Sequence, residues 1–238
     1  TYLYFHQMNV DPQNPNWEKR DRLVLSKGHV APALYSVLAQ KGFFPVELLK
    51  TLRKSDSILQ GHPSMKMTPG VDMSTGSLGQ GISTAVGMAL GSKISGRGFR
   101  VYAILGDGEL QEGQVWEAAM YASAKGLDNL VAVVDNNNLQ IDGSVAEVNS
   151  PYPIPEKFKT FGWNTLEITA HSFDEIDAAF KAASEFKGKP TAIIAKSVKG
   201  KGVSFMENQY KWHGAAPNKE QYEQAMSELT AELAGLEA

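Results

Sequence analysis

The chain has 238 residues, 42% of them hydrophobic and 21% charged, and carries a net charge of -3. That suffices for one large domain or two small ones, and no basic field marks a nucleic-acid or anionic-membrane partner. No apolar run reaches transmembrane length, and zero cysteines exclude disulfides, a thiol nucleophile and cysteine-bound metal, which fits a cytoplasmic protein.

The first residue is Thr1 rather than Met, so a preceding piece is expected and any targeting signal in it is out of view. Turns at Asp11-Pro12 and Asn14-Pro15 precede a short apolar run, Leu23-Val24-Leu25, which stops at Ser26-Lys27-Gly28-His29. Ala31, Leu34, Tyr35 and Leu38 then form one face of a helix that Gly42 ends. Pro45 opens a shorter helix to about Leu52. Residues 55–81 lack periodicity and hold Gly61-His62-Pro63 and Gly76-Ser77-Leu78-Gly79-Gln80-Gly81; a loop this long in a compact domain is usually functional. A helix follows, with Ile82, Ala85, Val86 and Ala89 on one face and Gly96 and Gly98 at its end.

Arg100–Leu105 and Leu130–Asp135 are apolar runs of strand length, as buried parallel strands should be. Between them Val115, Ala118, Ala119 and Ala122 mark a crossover helix, so the stretch reads as a βαβ unit. Ile141-Asp142-Gly143 makes a turn, and Pro151, Pro153 and Pro155 keep residues 149–155 extended. Trp163–Thr169 is a third strand and Thr191–Ala195 a fourth. The helix between them starts at a Ser172/Glu175 capping box and turns Ile176, Ala179, Phe180 and Ala183 inward. A second long loop runs from Lys199-Gly200-Lys201-Gly202 to Trp212-His213-Gly214. Asn218 and Gln221 cap a last helix, whose inner residues are expected to be Tyr222, Met226, Leu229 and Leu233, with Glu228, Glu232 and Glu237 charged. Strand and helix alternate throughout, so the expectation is one α/β domain over 1–238, with a doubly wound, mostly parallel sheet flanked by helices.

Each strand of the βαβ unit ends in polar or small residues, where an open α/β sheet places its ligands. Gly106-Asp107-Gly108-Glu109 follows the first and Asn136-Asn137-Asn138 the second. Alone, Asp107 could cap a Gly-rich turn, and an Asn run could merely supply left-handed turn residues. Together they offer two oxygens at neighbouring strand tips, and a backbone carbonyl would add a third. Two diphosphate oxygens and a water would complete an octahedral shell suited to Mg²⁺. Gly108 would let the backbone approach the phosphate, and the helix from about Glu112 points its N-terminus there. His29, His62 and His213 lie at a helix start or in long loops, where they could converge on the strand ends and donate to phosphate or to a substrate oxyanion. His6 and His171 match no motif and read as surface residues; Lys199 and Lys201 read as a solvated turn. No phosphate-binding GxxxxGK[ST] or GxGxxG pattern occurs.

With twenty-seven residues between Gly108 and Asn136, the pattern GDG-x27-NN resembles the thiamine-diphosphate motif. GDGELQEGQVWEAA with DNNNLQIDG resembles the N-terminal, diphosphate-binding domain of the transketolase family. RDRLVLSKGH, GHP, GSLGQG and HGAAP extend the likeness in order from Arg20 to Pro217. The resemblance implies that Asp107 and Asn137 ligate Mg²⁺, or another divalent cation such as Ca²⁺ or Mn²⁺, by side chain, and Leu139 by its carbonyl. Asn137 is preferred to Asn136 by counting back from Ile141-Asp142-Gly143. Gly108, with Gly106 and Glu109 beside it, would contact the diphosphate. His29 and His213 would lie beside the diphosphate and the reacting thiazolium, and His62 would face substrate. Gly76, Ser77 and Leu78 would line the aminopyrimidine ring through backbone; the family usually has Pro where Ser77 stands. Glu112 resembles a carboxylate in a network that links paired cofactor sites.

In this family the glutamate that activates the cofactor and the arginines that hold a sugar phosphate lie in the next, pyrimidine-binding domain. The family's upstream substrate histidine is absent as well. The resemblance therefore implies the N-terminal subunit of a split transketolase, paired with a separate C-terminal chain as a heterotetramer of two of each. It would move a two-carbon ketol unit from a ketose phosphate to an aldose phosphate, as in the pentose phosphate pathway. The alternatives are a fragment of a single-chain enzyme, a subunit of a 1-deoxyxylulose-5-phosphate synthase-like enzyme or 2-oxo acid dehydrogenase, and a cofactor-binding scaffold without turnover.

Overall fold

The edge strand β1, Arg22–Leu25, is built from the short apolar run at Leu23. After it come α1 (Ala31–Lys41), α2 (Gln80–Ser95), β2 (Val101–Gly106), α3 (Gly113–Ala124) and β3 (Leu130–Asn136). A small hairpin, β4 (Leu139–Gln140) and β5 (Gly143–Ser144), turns at Ile141-Asp142. Then follow α4 (Val145–Asn149), α5 (Ile154–Thr160), β6 (Asn164–Thr169), α6 (Phe173–Glu185), β7 (Thr191–Lys196) and α7 (Lys219–Glu237). The structure is a computed structural model describing residues 1–237, with side chains as far as Leu236, so the Glu237 charge lies outside the described residues.

Five strands form one parallel sheet in the order β1-β2-β3-β7-β6. Successive side chains on a strand point to opposite faces, so each strand feeds two cores. Val101, Ala103 and Leu105 of β2 meet α2 and α3 on one face. Tyr102 meets α1 and α6 on the other, where Phe180 packs edge-on against it at 5.8 Å. A fully buried Val or Leu side chain such as Val101 or Leu105 contributes roughly 1.5–3 kcal/mol. The Ala-rich face of α3 lies close to the sheet, and Trp163 Nε1 donates to the Ala119 carbonyl at 2.9 Å, tying α3 to the start of β6. The α1/α6 face also carries an apolar groove of about 450 Å³ floored by Leu25, Ile104, Val133 and Ile193. Among the described residues no helix is long and apolar enough to cross a membrane.

Most expected elements are present, and Gly42 ends α1 in the left-handed conformation at φ 96°. Four details differ. The segment after Pro45 is a 3-10 turn, Val46–Thr51, rather than an α-helix. The prolines do not keep all of 149–155 extended: α5 begins at Ile154 and holds Pro155 in its first turn, where the missing N–H costs nothing. At α6, Ser172 Oγ accepts from Glu175 N–H, but Glu175 Oε2 accepts from Thr169 N–H, so the box closes onto the end of β6. Finally, α7 is capped reciprocally by Asn218 and Gln221, at 2.9 Å each way, but its expected inner face is not inward. Tyr222, Met226, Leu229 and Leu233 are exposed, and Ala225 is the residue that is buried. The apolar spacing is real, but the helix meets the domain only along a narrow line, where Glu228 accepts from the Ser204 N–H and hydroxyl.

Candidate active site

All five strands of a parallel sheet end on one side, and here each delivers a residue to the same cavity of about 500 Å³. Lys27 comes from β1, Asp107 from β2, Asn137 from β3, His171 from β6 and Ser197 from β7. The loops at 26–29 and 75–81 can touch because glycines stand at the contacts. A Cβ on Gly28 would lie 2.7 Å from the Thr75 carbonyl, and one on Gly81 would lie 2.5 Å from Ser26 Oγ.

Asp107 is buried and begins the 3-10 turn that follows β2. Its Oδ1 accepts from Gly108 N–H at 2.8 Å and its Oδ2 from Asn138 N–H at 2.5 Å. Burial pushes its carboxyl up, against those two donors. The three asparagines at the end of β3 have separate tasks. Asn136 Oδ1 accepts from the Tyr152 hydroxyl at 2.6 Å. Asn138 takes the left-handed conformation at φ 58°, which an Asn tolerates. Asn137, between them, reaches the cavity with Leu139, and its Oδ1 accepts from Leu139 N–H at 2.9 Å. Asp107, Asn137 and Leu139 are thus brought together through the Asp107–Asn138 bond. Among the described residues no group of three His, Cys, Asp or Glu side chains could hold a metal unaided. One carboxylate, one carboxamide and one carbonyl leave positions for phosphate oxygens and water, the donor mix a Mg-diphosphate requires.

Glu109 is also buried, but its carboxylate is engaged internally. Oε1 accepts from Ser26 Oγ and from Gly79 N–H at 2.9 Å, and Oε2 from Gly106 N–H at 3.1 Å. Burial raises its pKa against these donors. The residue braces the cavity wall by joining β1, β2 and the Gly76–Gly81 loop. Gly106, Gly108 and Leu78 line the cavity. Gly76 and Ser77 do not line it, and the Ser77 carbonyl accepts from Gln80 N–H at 3.3 Å.

Basic groups face these oxygens. Lys27 Nζ pairs with Asp135, whose other oxygen accepts from Ser197 Oγ. Burial alone would raise Asp135, but Lys27 and Ser197 hold it below the usual carboxylate range. Lys199 Nζ lies 3.4 Å from His213 Nδ1, and the His213 and His29 rings are 5.0 Å apart. Burial first, then neighbouring Lys27, lowers the Lys199 pKa. His213 is lowered by burial and by Lys199 and Lys27. His29 is pushed down to about 4 by burial and by His213, Lys27, Lys199 and His62. His62 is exposed beside Gly76, where a Cβ would lie 3.2 Å from its ring, and does not itself line the cavity. Lys27, Lys199, His171, Gln111 and Gln140 also line the cavity, although the sequence reading gave none of them a role there. His171 Nε2 accepts from Val198 N–H at 2.8 Å and anchors the loop that carries Lys199.

The depressed His29 pKa sets a stability prediction. Between the ordinary value of 6.5 and about 4, the unfolded chain binds a proton at His29 that the folded chain refuses. Stability from this group is therefore full above pH 6.5 and lost as pH falls through that window. Thermal melting should show a steeper decline from pH 7 to 4.5 for the wild type than for His29→Gln. Equal slopes would contradict the assignment.

The fold and the placement of these residues define a domain of the thiamine-diphosphate-binding class. Residues 1–234 match the family described as the transketolase, thiamine diphosphate binding domain. The chain is 48% identical over 230 residues to the 6-deoxy-6-sulfo-D-fructose transketolase subunit SqwG of Clostridium sp. (strain MSTE9), covering 97% of this chain and 84% of that one. It is 43% identical over 237 residues to an apulose-4-phosphate transketolase subunit of Phocaeicola vulgatus, covering 100% and 84%. Transketolase of Homo sapiens is 43% identical over 232 residues, which cover 97% of this chain and 37% of that protein. The fold superposes on transketolase from Campylobacter jejuni with a TM-score of 0.89 and 34% identity, over 96% of this chain and 37% of that one. The chain belongs to the transketolase family, of which it carries the thiamine-diphosphate-binding domain.

Proposed function

We propose that this chain is the N-terminal subunit of a two-chain transketolase and holds the diphosphate end of Mg-thiamine diphosphate. The observation that carries the reading is the meeting of Asp107, Asn137 and Leu139 at adjoining strand tips, opposite Lys27 and Lys199 in one cavity. The cation is Mg²⁺, held by the Asp107 and Asn137 side chains and the Leu139 carbonyl. Gly108 offers a close backbone approach: a Cβ there would lie 3.4 Å from the Gln140 side chain and narrow the cavity. Lys27 and Lys199 offset the diphosphate charge, and the loop from Gly76 to Leu78 lines the aminopyrimidine side.

The bound thiazolium supplies the making and breaking of a carbon–carbon bond beside a ketose carbonyl. The protein positions groups around it. His29, neutral at physiological pH because its pKa is held at about 4, can donate from one ring nitrogen and accept at the other. His213, paired with Lys199, and His62, exposed beside Gly76, would hold or move a proton at substrate oxygens.

The substrates are a ketose phosphate donor and an aldose phosphate acceptor, in the chemistry of pentose phosphate interconversion. Two relatives are named for sugars that carry a sulfonate or a phosphate, which supports an anionic sugar. Those relatives are also named as subunits, which supports a partner chain that supplies the pyrimidine-binding domain; we take the assembly as two of each chain. The whole of 1–238 acts as one diphosphate-binding domain. The absence of cysteine supports a cytoplasmic setting.

Calorimetry on the complex of both chains tests the site. Thiamine diphosphate should bind only when a divalent cation is present. Equal affinity with excess chelator would contradict the metal assignment.

A further inference from the structure

One pair of side chains lining the cavity has its polarity fixed by the backbone. The last carbonyls of a helix lack intrahelical donors, and the Asn149 carbonyl at the end of α4 accepts from Gln111 at 2.8 Å. A carbonyl can only accept, so the Gln111 atom there is Nε2, and the amide cannot be flipped. The same Nε2 donates its second proton to Gln140 at 2.7 Å, so the Gln140 atom there must be the acceptor Oε1. The Gln140 NH₂ is therefore the free end, and among the described residues it has no hydrogen-bond partner. Gln140 belongs to β4, paired with Gly143, so its backbone is fixed as well. Its side chain runs alongside Gly108, the residue after Asp107: a Cβ on Gly108 would lie 3.4 Å from both Cβ and Oε1 of Gln140. Gln111 and Gln140 both line the cavity.

We propose that Gln140 is a further cofactor-binding residue, whose side-chain N–H donates to an anionic oxygen of the diphosphate, and that Gln111 is the positioning residue that aims it. The inference rests on the reading of this cavity as the diphosphate site. A neutral donor suits the place. Lys27 and Lys199 already face the cavity, and a third cation would add repulsion, whereas a carboxamide adds a hydrogen bond without charge.

The test uses the complex with the partner chain, Mg²⁺, and two probes in calorimetry: thiamine diphosphate and inorganic pyrophosphate. Gln140→Ala should weaken both probes about tenfold, the size of one hydrogen bond to a charged group. Gln140→Glu, which puts an acceptor where the donor stood, should weaken both further. Gln111→Leu should give a smaller loss, with cofactor KM raised and kcat retained at saturating cofactor. The melting temperature of the complex without cofactor should stay at the wild-type value in Gln140→Ala and Gln111→Leu. Unchanged affinity for both probes in Gln140→Ala and Gln140→Glu overturns the inference. So does a loss for thiamine diphosphate with pyrophosphate unaffected, since Gln140 would then face another part of the cofactor. Should Gln140→Glu not fold, the two other variants decide. If the wild-type complex binds neither probe, the diphosphate site itself is wrong, and the inference falls with it.

Discussion

Asp107→Ala is expected to abolish cofactor-dependent ketol transfer by the assembled enzyme, with a loss of at least about a hundredfold, since removing even a partner of a metal ligand costs 10–100-fold. The effect should exceed that of losing one ligand. Asp107 Oδ2 accepts from Asn138 N–H at 2.5 Å, and Asn138 is the left-handed residue between Asn137 and Leu139. Truncating Asp107 therefore removes one ligand and releases the turn that presents the other two. It also leaves the Lys27 and Lys199 charges with less compensation, since Asp107 is one of the carboxylates acting on Lys199. Asp107→Asn keeps an oxygen for one backbone donor but loses the charge, so it should retain part of the cation affinity. Near-normal Mg²⁺-dependent activity in Asp107→Ala would rule out the ligand assignment.

The second large effect is dependence on a partner. The chain alone should be slower in ketol transfer by on the order of 10²–10⁴, the contribution of a positioned acid–base group. Four carboxylates line the cavity; Glu112, which the resemblance assigns to a network between paired cofactor sites, is exposed, and the other three are already engaged. Glu109 is held by Ser26, Gly79 and Gly106, Asp135 by Lys27 and Ser197, and Asp107 by Gly108 and Asn138. Each of these three is satisfied within the domain. The resemblance places the activating glutamate in the pyrimidine-binding domain, and the subunit names of the relatives support its arrival on a second chain.

Much of this site was legible in the sequence because its signals are local. Gly-Asp-Gly after an apolar run marks a strand tip, and a second such tip one helix later must lie beside it in a βαβ unit. The left-handed Gly42 and the reciprocal Asn218/Gln221 cap were legible for the same reason. What escaped depends on assembly. Leu23-Val24-Leu25 is short for a strand, and only pairing with β2 makes it one, carrying Lys27 to the cavity. Lys199 read as a solvated turn, because no local pattern shows that β7 ends next to β3. His171 read as a surface residue, because its bond to Val198 joins the ends of β6 and β7. The α7 stripe is the converse case: periodicity says that Tyr222, Met226, Leu229 and Leu233 share a face, but not that the domain covers it, and it does not.

The central claim is that this chain holds half of a thiamine-diphosphate site. Its most direct measurement is the rate of ketol transfer from a ketose phosphate to an aldose phosphate, with Mg²⁺ and thiamine diphosphate titrated into the purified chain, with and without the partner chain. The account predicts saturable, cofactor-dependent transfer with both chains and a background rate with this chain alone. Full transfer by this polypeptide alone, or none by the two chains together at saturating cofactor, would contradict it.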